Sequence, residues 1–276
     1  MDDQASNISS NDSPDPSIPR VITLTTDFGL RDWYVAAMRG VILGINPRVT
    51  IVDNTHLIPP GDITSGSFAL DQMAQTFPSG SIHIAVVDPG VGSDRPALVA
   101  ACDGHYFVGP GNGLLDSVLA RSTRIKIHKL NNPAYQRHPV SSTFHGRDLF
   151  APAAAHLSLG LQISEFGEAL PLPARSQPLG ASQHLDRGKV VYIDHYGNAI
   201  TDISAAQIAE HVSVLIQAAE GTQTVPIVEF YSQAPPETAT ALVGSSGKLE
   251  LAVNRGSAAK LLNLQIGTEV RLLRNT

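Results

Sequence analysis

The amino-acid sequence predicts an α/β protein in two parts. The first part is a largely parallel sheet flanked by helices, and the second is a small C-terminal β-barrel. From Val21 onward, short β-branched runs alternate with segments whose apolar residues recur at helical spacing, which is typical of a parallel sheet covered on both faces. After residue 187 the helical patterns nearly disappear and short strands follow one another, which favours a small barrel or sandwich.

The N-terminal elements follow from the positions of apolar runs and turn residues. Strands are predicted at 21–25, 49–53, 81–88, 97–102, 105–109 and 124–130. Helices are predicted at 31–45, 62–77 and 146–160, with a further helix beginning within 111–120. Asp62 is the expected N-cap of the second helix, and Gly160 is expected to close the last one.

Composition predicts four segments. Residues 1–19 are rich in Ser, Asp, Asn and Pro and are expected to form a disordered tail. Residues 20–169 form the predicted α/β domain, and the Pro-, Ser- and Gly-rich stretch 170–187 is interpreted as a linker. Residues 188–276 form the predicted β-barrel domain, with strands expected within 189–203, 212–218, 224–231, 248–253 and 269–274.

Charge and composition exclude several classes of function. A net charge of −6 and a pI near 5.9 argue against nucleic-acid binding, which requires a basic face. No apolar run approaches the roughly 20 residues that span a bilayer, and the acidic N-terminus lacks a secretory signal, so a cytoplasmic protein is expected. Cys102 is the single cysteine, and the ten histidines show no metal-ligand spacing, so no metal site is expected.

Acidic residues stand at the ends of several predicted strands. Asp27, Asp53, Asp88 and Asp194 each follow an apolar run. Ligands bind outside the carboxyl ends of parallel strands, so these acids are candidates for a binding site. Each of them could equally cap a helix or a turn.

Three further patterns admit both a functional and a structural interpretation. In VVDPGVGSDR, Asp88 and Arg95 flank a glycine loop and form either a surface salt bridge or half of an active site. His145 precedes a predicted helix, where it is expected to stay neutral and could accept a proton or hold a water, or simply pack. In IDHYGN, Tyr196 and Asn198 suit recognition of a planar base or a plain hairpin turn.

Other enzyme classes lack their sequence signatures. The chain contains no G-x-x-x-x-G-K-[ST], no G-x-G-x-x-G and no G-x-S-x-G. A phosphate-binding NTPase, a dinucleotide-binding protein and a serine hydrolase with a nucleophile elbow are therefore not expected.

Seven motifs taken together resemble the S-adenosylmethionine (SAM) hydroxide adenosyltransferases, or SAM hydrolases, which are related to the SAM-dependent fluorinase and chlorinase. The resemblance spans 21–273. It rests on the collinear stretches TTDFGLRDWYVAAMRGVI, VDNTHLIPPGDITSGSFAL, VVDPGVGSDR, GPGNGLL, STFHGRDLFAPAAAHL, IDHYGNAITDI and GSSGKLELAVNRGSAA.

The resemblance implies a homotrimer in which SAM lies between the N-terminal domain of one subunit and the C-terminal domain of its neighbour. Asp27 would hold the ribose hydroxyls. Asn198 would read the adenine edge, assisted by backbone groups near Asn254 and Arg255, and Tyr196 would flank the base. Asp194 and Ser245 match positions that bind the ammonium and carboxylate of the methionine part.

The resemblance also implies that Asp88, Arg95 and His145 handle a water molecule. The expected reaction is attack of water on C5′ of SAM, giving adenosine and L-methionine without a cofactor. Whether Asp88 or His145 takes the proton is left open by the sequence.

Departures from the fluorinase favour the hydrolase branch. The fluorinase has Tyr and Thr at the positions of Asp88 and Val91, and it carries an inserted loop that ALVAACDGHYFVG lacks. Gly146 replaces a halide-binding Ser, but the chlorinase also has Gly there. Gly61 replaces a Trp that covers the ribose. A SAM-dependent halogenase and a non-catalytic SAM-binding module remain the alternatives.

Overall fold

A computed structural model describes residues 21–122, 124–171, 186–208, 211–218 and 221–274. The predicted tail at 1–19 and most of the predicted linker at 170–187 lie outside these ranges. Two sheets organise the described residues, a six-stranded mixed sheet and a seven-stranded antiparallel sheet. The predicted fold class is confirmed.

The first sheet has the strand order β2-β1-β3-β5-β4-β6, in which β2, β1, β3 and β5 run parallel and β4 is antiparallel to both its neighbours. Its strands are β1 Val21–Thr26, β2 Thr50–Thr55, β3 Ile82–Val86, β4 Ala97–Cys102, β5 His105–Pro110 and β6 Ile125–Lys129. The β4–β5 hairpin turns at Asp103 and Gly104, which both have positive φ, as a tight two-residue turn requires.

Helices cover both faces of this sheet, as predicted. They are α1 Tyr34–Ile45, α2 Ile63–Ala74, α3 Asp116–Arg121 and α4 Ala151–Ser158. Helices α1 and α4 share one apolar core with β1 and β3, whereas α2 and α3 pack in a second core on the other face. The Asp62 side chain accepts a hydrogen bond from Ser65 N at 3.0 Å, so it caps α2 as expected.

Three helices of the first part of the chain begin differently from the sequence prediction. Helix α1 begins at Tyr34, three residues later than predicted, after a run of bends. Helix α3 begins only at Asp116, because Gly113 adopts a φ of +99° before it. The predicted helix at 146–160 starts as a π-helical turn, Gly146–Phe150, and continues as α4. The chain then leaves the helical direction at Gly160, which has a φ of +98°.

The second sheet has the order β10-β9-β13-β7-β8-β12-β11 and is nearly closed into a barrel. Its strands are β7 Arg187–Ile193, β8 Ala199–Ser204, β9 His211–Ala218, β10 Gly221–Pro226, β11 Ala239–Val243, β12 Lys248–Val253 and β13 Glu269–Arg274. The two edges meet where Val228 N donates to Ala241 O at 2.8 Å and Thr240 Oγ1 donates to Pro226 O at 3.0 Å. Short helices, α5 Ala205–Ile208 and α6 Ala258–Leu261, follow β8 and β12.

The predicted strand at 224–231 is wrong in its second half. Strand β10 ends at Pro226, where the missing N–H stops the ladder. The chain then crosses to β11 through a bridge between Ile227 and Ala241, and a 3₁₀ turn follows at Tyr231–Gln233. Strand β11 itself was not predicted.

The two sheets are joined by contacts between α2 and the second sheet. The Phe68 ring stacks on the Tyr192 ring with centroids 5.2 Å apart, and Val191 and Ile200 complete this small cluster. None of the helices among the described residues is both long enough and apolar enough to cross a membrane.

A close approach between two loops sets the geometry at the carboxyl end of β3. Gly92 has a φ of +81°, and a Cβ at this position would overlap the carbonyl oxygen of Ser142. Gly90, in the same loop, has no such restriction, because an added Cβ would meet Ser93 Oγ at 3.4 Å. Only glycine therefore lets the loop after β3 pack against the loop that precedes α4.

We expect the substitution Gly92→Ala to lower the free energy of unfolding by about 2 kcal/mol or more, through backbone strain and overlap. The matched substitution Gly90→Ala is expected to change it by less than about 0.5 kcal/mol. Chemical denaturation of the two variants measures both values. Equal stability of the two variants would contradict the proposed close approach.

Candidate active site

A cavity of about 340 Å³ lies at the carboxyl ends of β1 and β3. Asp27 follows β1 directly, and Asp88 lies two residues beyond β3. His145, the residue that precedes the π-helical turn Gly146–Phe150, lines the same cavity. Because β1 and β3 are parallel and end at the same edge of the sheet, two of the predicted acids, Asp27 and Asp88, lie in one cavity.

Arg95 connects Asp88 to His145. Its Nε donates to Asp88 Oδ1 at 2.7 Å, and its Nη2 donates to Asp88 Oδ2, which makes a bidentate pair. The same Nη2 lies 2.9 Å from His145 Nδ1. The Arg95 and Asp88 side chains are only 8% and 4% exposed, so this is not a surface salt bridge.

The contact with Arg95 fixes the tautomer of His145. A guanidinium group can only donate hydrogen bonds, so His145 Nδ1 accepts and the neutral ring carries its proton on Nε2. Burial and the positive charge of Arg95 lower the pKa of His145, and they outweigh the opposite effect of Asp88 and Asp148. The ring is therefore neutral at pH 7 and presents an N–H donor away from Arg95.

Asp148 holds the loop that carries His145. Its carboxylate is fully buried and accepts hydrogen bonds from Ser141 N at 2.9 Å, Arg137 Nη1 at 3.2 Å and Arg147 Nε at 2.7 Å. Burial alone would raise the pKa of Asp148, but the hydrogen bonds, above all that of Arg147, hold it below its usual value. Asp148 was not predicted as a site residue from the sequence, although a carboxylate in the first turn of a predicted helix is favoured by the helix dipole.

Asp27 is positioned by backbone groups. Gly61 N donates to Asp27 Oδ2 at 2.9 Å, so the glycine at this position supports the carboxylate. The preceding residue, Thr26, accepts from Phe28 N at 3.2 Å and shares a 2.9 Å hydrogen bond with His56 Nδ1. No hydrogen bond to the other oxygen, Oδ1, is found among the described residues, so it is available to accept from a ligand hydroxyl.

Asp53, the other N-terminal strand-end acid, lines neither this cavity nor the second one described below. Its carboxylate pairs with Arg39 and lies 3.1 Å from His56 Nε2. Burial would raise the pKa of Asp53, but the hydrogen bonds from Arg39 and His56 lower it. The structural interpretation of this acid is therefore the better one.

A second, larger cavity of about 1090 Å³ lies mainly on the antiparallel sheet. All six predicted substrate-binding residues of the C-terminal part line it: Asp194, Tyr196, Asn198, Ser245, Asn254 and Arg255. Helix α2 contributes Phe68 and Gln72 to the same wall, and the turn after it contributes Thr76.

The turn after β7 orders three of these residues. Asp194 Oδ1 accepts from Tyr196 N at 2.9 Å and from Asn198 N at 2.8 Å, and Asp194 Oδ2 accepts from Asn198 Nδ2 at 2.9 Å. Gly197, with a φ of +83°, closes the turn. The Asn198 amide is therefore oriented with its oxygen away from Asp194, while the Tyr196 ring stays 76% exposed.

Three residues of the second cavity were missed from the sequence. Glu250 is 6% exposed and accepts a hydrogen bond from Tyr231 Oη at 2.6 Å. The Ser246 hydroxyl is buried and has no hydrogen-bond partner among the described residues. An acid inside the otherwise apolar strand KLELAV was the available signal for Glu250.

The structure thus divides the ten predicted site residues into two groups. Asp27, Asp88 and His145 line the first cavity, with Arg95 behind them, and the six C-terminal residues line the second. No residue lines both cavities. Within the described residues, no group of three His, Cys, Asp or Glu side chains is arranged to hold a metal ion.

Comparison with known proteins identifies relatives along nearly the whole chain. Residues 22–167 match the SAM hydroxide adenosyltransferase N-terminal domain, and residues 188–271 match the C-terminal domain of the same family. A protein from Thermus thermophilus named (R)-S-adenosyl-L-methionine hydrolase is 38% identical over 262 residues, covering 92% of this chain and all of the relative.

A fluorinase and a protein of known crystal structure are also similar to this chain. A fluorinase from an Actinoplanes species is 26% identical over 286 residues, covering 91% of this chain and 96% of the relative. The crystal structure of an uncharacterized conserved protein from Thermotoga maritima superimposes with a TM-score of 0.83 at 30% identity, covering 92% of this chain and all of that one. With both of its domain models matched, the chain belongs to the SAM hydroxide adenosyltransferase family.

Proposed function

We propose that the chain hydrolyses SAM to adenosine and L-methionine. The observation that carries the proposal is the Asp88–Arg95–His145 arrangement at the wall of a cavity that also contains Asp27. The relatives named (R)-S-adenosyl-L-methionine hydrolase, at 32–38% identity over most of the chain, support the same reaction.

The chemistry requires few groups. The sulfonium of SAM is a cationic leaving group that departs as the neutral thioether of methionine, so it needs no general acid, metal or cofactor. What remains is to place a water in line with the C5′–S bond and to exclude competitors. One C–S bond breaks, one C–O bond forms, and the water loses one proton.

In this scheme Asp88 orients the water and accepts its proton. Arg95 holds the carboxylate at two points, which leaves its other lone pairs free to accept from water. His145 acts as a second anchor, since its Nε2–H can donate to the water oxygen while Nδ1 is held by Arg95. Its fixed tautomer favours Asp88 over His145 as the proton acceptor.

Asp27 binds the ribose hydroxyls in the proposed complex, and Asn198 reads the adenine edge with help from the backbone near Asn254 and Arg255. Tyr196 flanks the base. Asp194 and Ser245 contact the amino-acid end of SAM. The residues of this second group all lie in the other cavity, so one copy of the chain presents each half of the site separately.

The halogenase alternative is less well supported. A carboxylate at the position of Asp88 repels a halide ion near the reacting carbon. The inserted loop of the fluorinase is also absent, since β4 and β5 are joined by a two-residue turn. A non-catalytic binding module has no use for a buried Asp–Arg pair, which is costly to desolvate.

We propose further that the active site forms between subunits of a homotrimer. The separation of the two cavities supports this, as do the exposed apolar side chains near each of them. Leu30 and Trp33, in the segment after Asp27, are 71% and 60% exposed, and Phe230 beside Tyr231 is 51% exposed. The cytoplasmic location expected from the sequence stays a prediction.

Product analysis in labelled water tests the reaction. We expect the purified protein, incubated with SAM in H₂¹⁸O and excess chloride, to release L-methionine and adenosine carrying one ¹⁸O at the 5′ position. Chromatography with mass spectrometry identifies the products. Formation of 5′-chloro-5′-deoxyadenosine would favour the halogenase, and recovery of intact SAM would favour the binding module.

Subunit mixing tests whether the site is shared. We expect Asp88→Asn and Asn198→Ala each to abolish most activity, and subunit exchange between them to restore about one quarter of the wild-type sites. The control mixture combines Asp88→Asn with Arg95→Gln, which lie in the same half-site, and should stay inactive. Absence of recovery in mixed oligomers verified by mass would contradict a shared site.

A further inference from the structure

A buried histidine close to Asp27 has no role in the mechanism above. His56 lies one residue beyond β2 and is only 3% exposed. Burial of a histidine ring is costly unless its nitrogens find partners. Two side chains approach the two ring nitrogens of His56, Asp53 on one side and Thr26 on the other.

An irregularity in β2 brings Asp53 and His56 together. Side chains three residues apart on a regular strand point to opposite faces. Leu24 of β1 pairs with Asp53, whereas the next residue of β1 pairs with Thr55. Asn54 is therefore an extra residue, a bulge that interrupts the alternation of side chains. As a result, His56 Nε2 lies 3.1 Å from Asp53 Oδ1.

The contacts of the two ring nitrogens give this chain of residues a direction. The Asp53 carboxylate can only accept, so His56 Nε2 carries a proton in this short but poorly aligned contact. In the neutral ring, His56 Nδ1 then accepts from Thr26 Oγ1 at 2.9 Å. Thr26 Oγ1 in turn accepts from Phe28 N at 3.2 Å. The chain that starts at Asp53 therefore ends on the backbone N–H one residue beyond Asp27.

These contacts hold the short turn that carries Asp27. Thr26 and Phe28 flank Asp27, so the hydrogen bond between them fixes the backbone from which its carboxylate projects. The carbonyl oxygen of His56 also accepts from Gly29 N at 2.7 Å. The direction of the Asp27 carboxylate therefore depends on His56 through both its side chain and its main chain.

We propose that His56, supported by Asp53, is a positioning residue that acts on Asp27 through Thr26. It holds the Asp27 carboxylate where it meets both hydroxyls of the ribose, and so helps to select a substrate with a vicinal diol. The inference rests on the proposed function, in which Asp27 binds the ribose. Gly61 N holds Asp27 Oδ2 independently, so loss of the His56 contact is expected to weaken this selection and not to abolish it.

A second buried pair on the same strand provides a matched control. Thr23, near the other end of β1, shares a 2.8 Å hydrogen bond with His83 Nδ1. Thr23, Thr26 and His83 are all fully buried. Thr23 and His83 line neither of the two cavities described above. Thr23→Val and Thr26→Val thus remove the same kind of hydrogen bond, but only Thr26 lies beside Asp27.

Steady-state kinetics with two substrates tests the proposal. The substrates are SAM and its 2′-deoxy analogue, in which a hydrogen replaces one hydroxyl of the diol. The preference for SAM is the ratio of the two kcat/KM values. We expect Thr26→Val to lower this preference by about threefold or more, because a buried hydrogen bond is lost. Thr23→Val and Thr26→Ser, which keeps the hydroxyl, should both retain the wild-type preference.

Two variants of His56 extend the test. His56→Leu removes both ring nitrogens and should lower the preference for SAM as Thr26→Val does. His56→Asn keeps a group near the position of Nδ1 that can accept from Thr26, and should recover most of the preference. The comparison of these two variants decides the matter if Thr26→Val does not fold.

An unchanged preference in both Thr26→Val and His56→Leu would overturn the proposal, and so would an equal fall in Thr23→Val, which indicates a general effect of lost stability. The wild-type reaction in the same assay tests the proposed function separately. If the wild type forms no adenosine, calorimetric affinities for adenosine and 2′-deoxyadenosine give the same comparison without turnover. Equal affinities of the wild type for the two nucleosides would then contradict the role of Asp27, and that of His56 with it.

Discussion

The hydrogen bonds of the Arg95 guanidinium are the interaction on which the rest of the candidate active site depends. One planar group holds both oxygens of Asp88 and the Nδ1 of His145, so it sets the direction of the carboxylate and the tautomer of the ring together. Both members of the ion pair are nearly buried, and loss of either would leave an unpaired charge that costs about 3–5 kcal/mol.

The fold provides the conditions for this contact. The parallel strands β1 and β3 end at the same edge, which brings Asp27 and Asp88 together. Gly92 lets the loop after β3 pack on Ser142, and the buried Asp148 ties down the loop that carries His145. Close approach and hydrogen bonding thus fix the geometry of these three side chains. The antiparallel sheet contributes the second cavity, where the nucleoside and amino-acid parts of the substrate are proposed to bind.

Much of the fold could be predicted from the sequence because its signals are local. The alternation of strands and helices, the Asp62 cap and the hairpin around Asp103 and Gly104 all depend on neighbouring residues. The approach of Asp88 to Arg95 was also foreseeable, since they lie seven positions apart across a turn. Other features depend on tertiary packing, which the spacing of apolar residues along the sequence does not reveal. They are strand β11, the π-helical turn before α4 and the hydrogen bond from Tyr231 to Glu250. The division of the site residues into two cavities followed from the family resemblance and not from any local pattern.

We propose that Asp88 and His145 act through Arg95 as one unit on one water molecule. A double-mutant cycle tests it most directly, with kcat/KM for SAM measured in Asp88→Asn, His145→Asn and the double variant, and with Asp94→Asn as the control for an exposed acid of the same loop. We expect the double variant to lose about as much activity as Asp88→Asn alone, because the effects of groups that act as a unit are strongly non-additive. If the two losses multiply in the double variant, the two residues act independently and the proposed coupling through Arg95 is wrong.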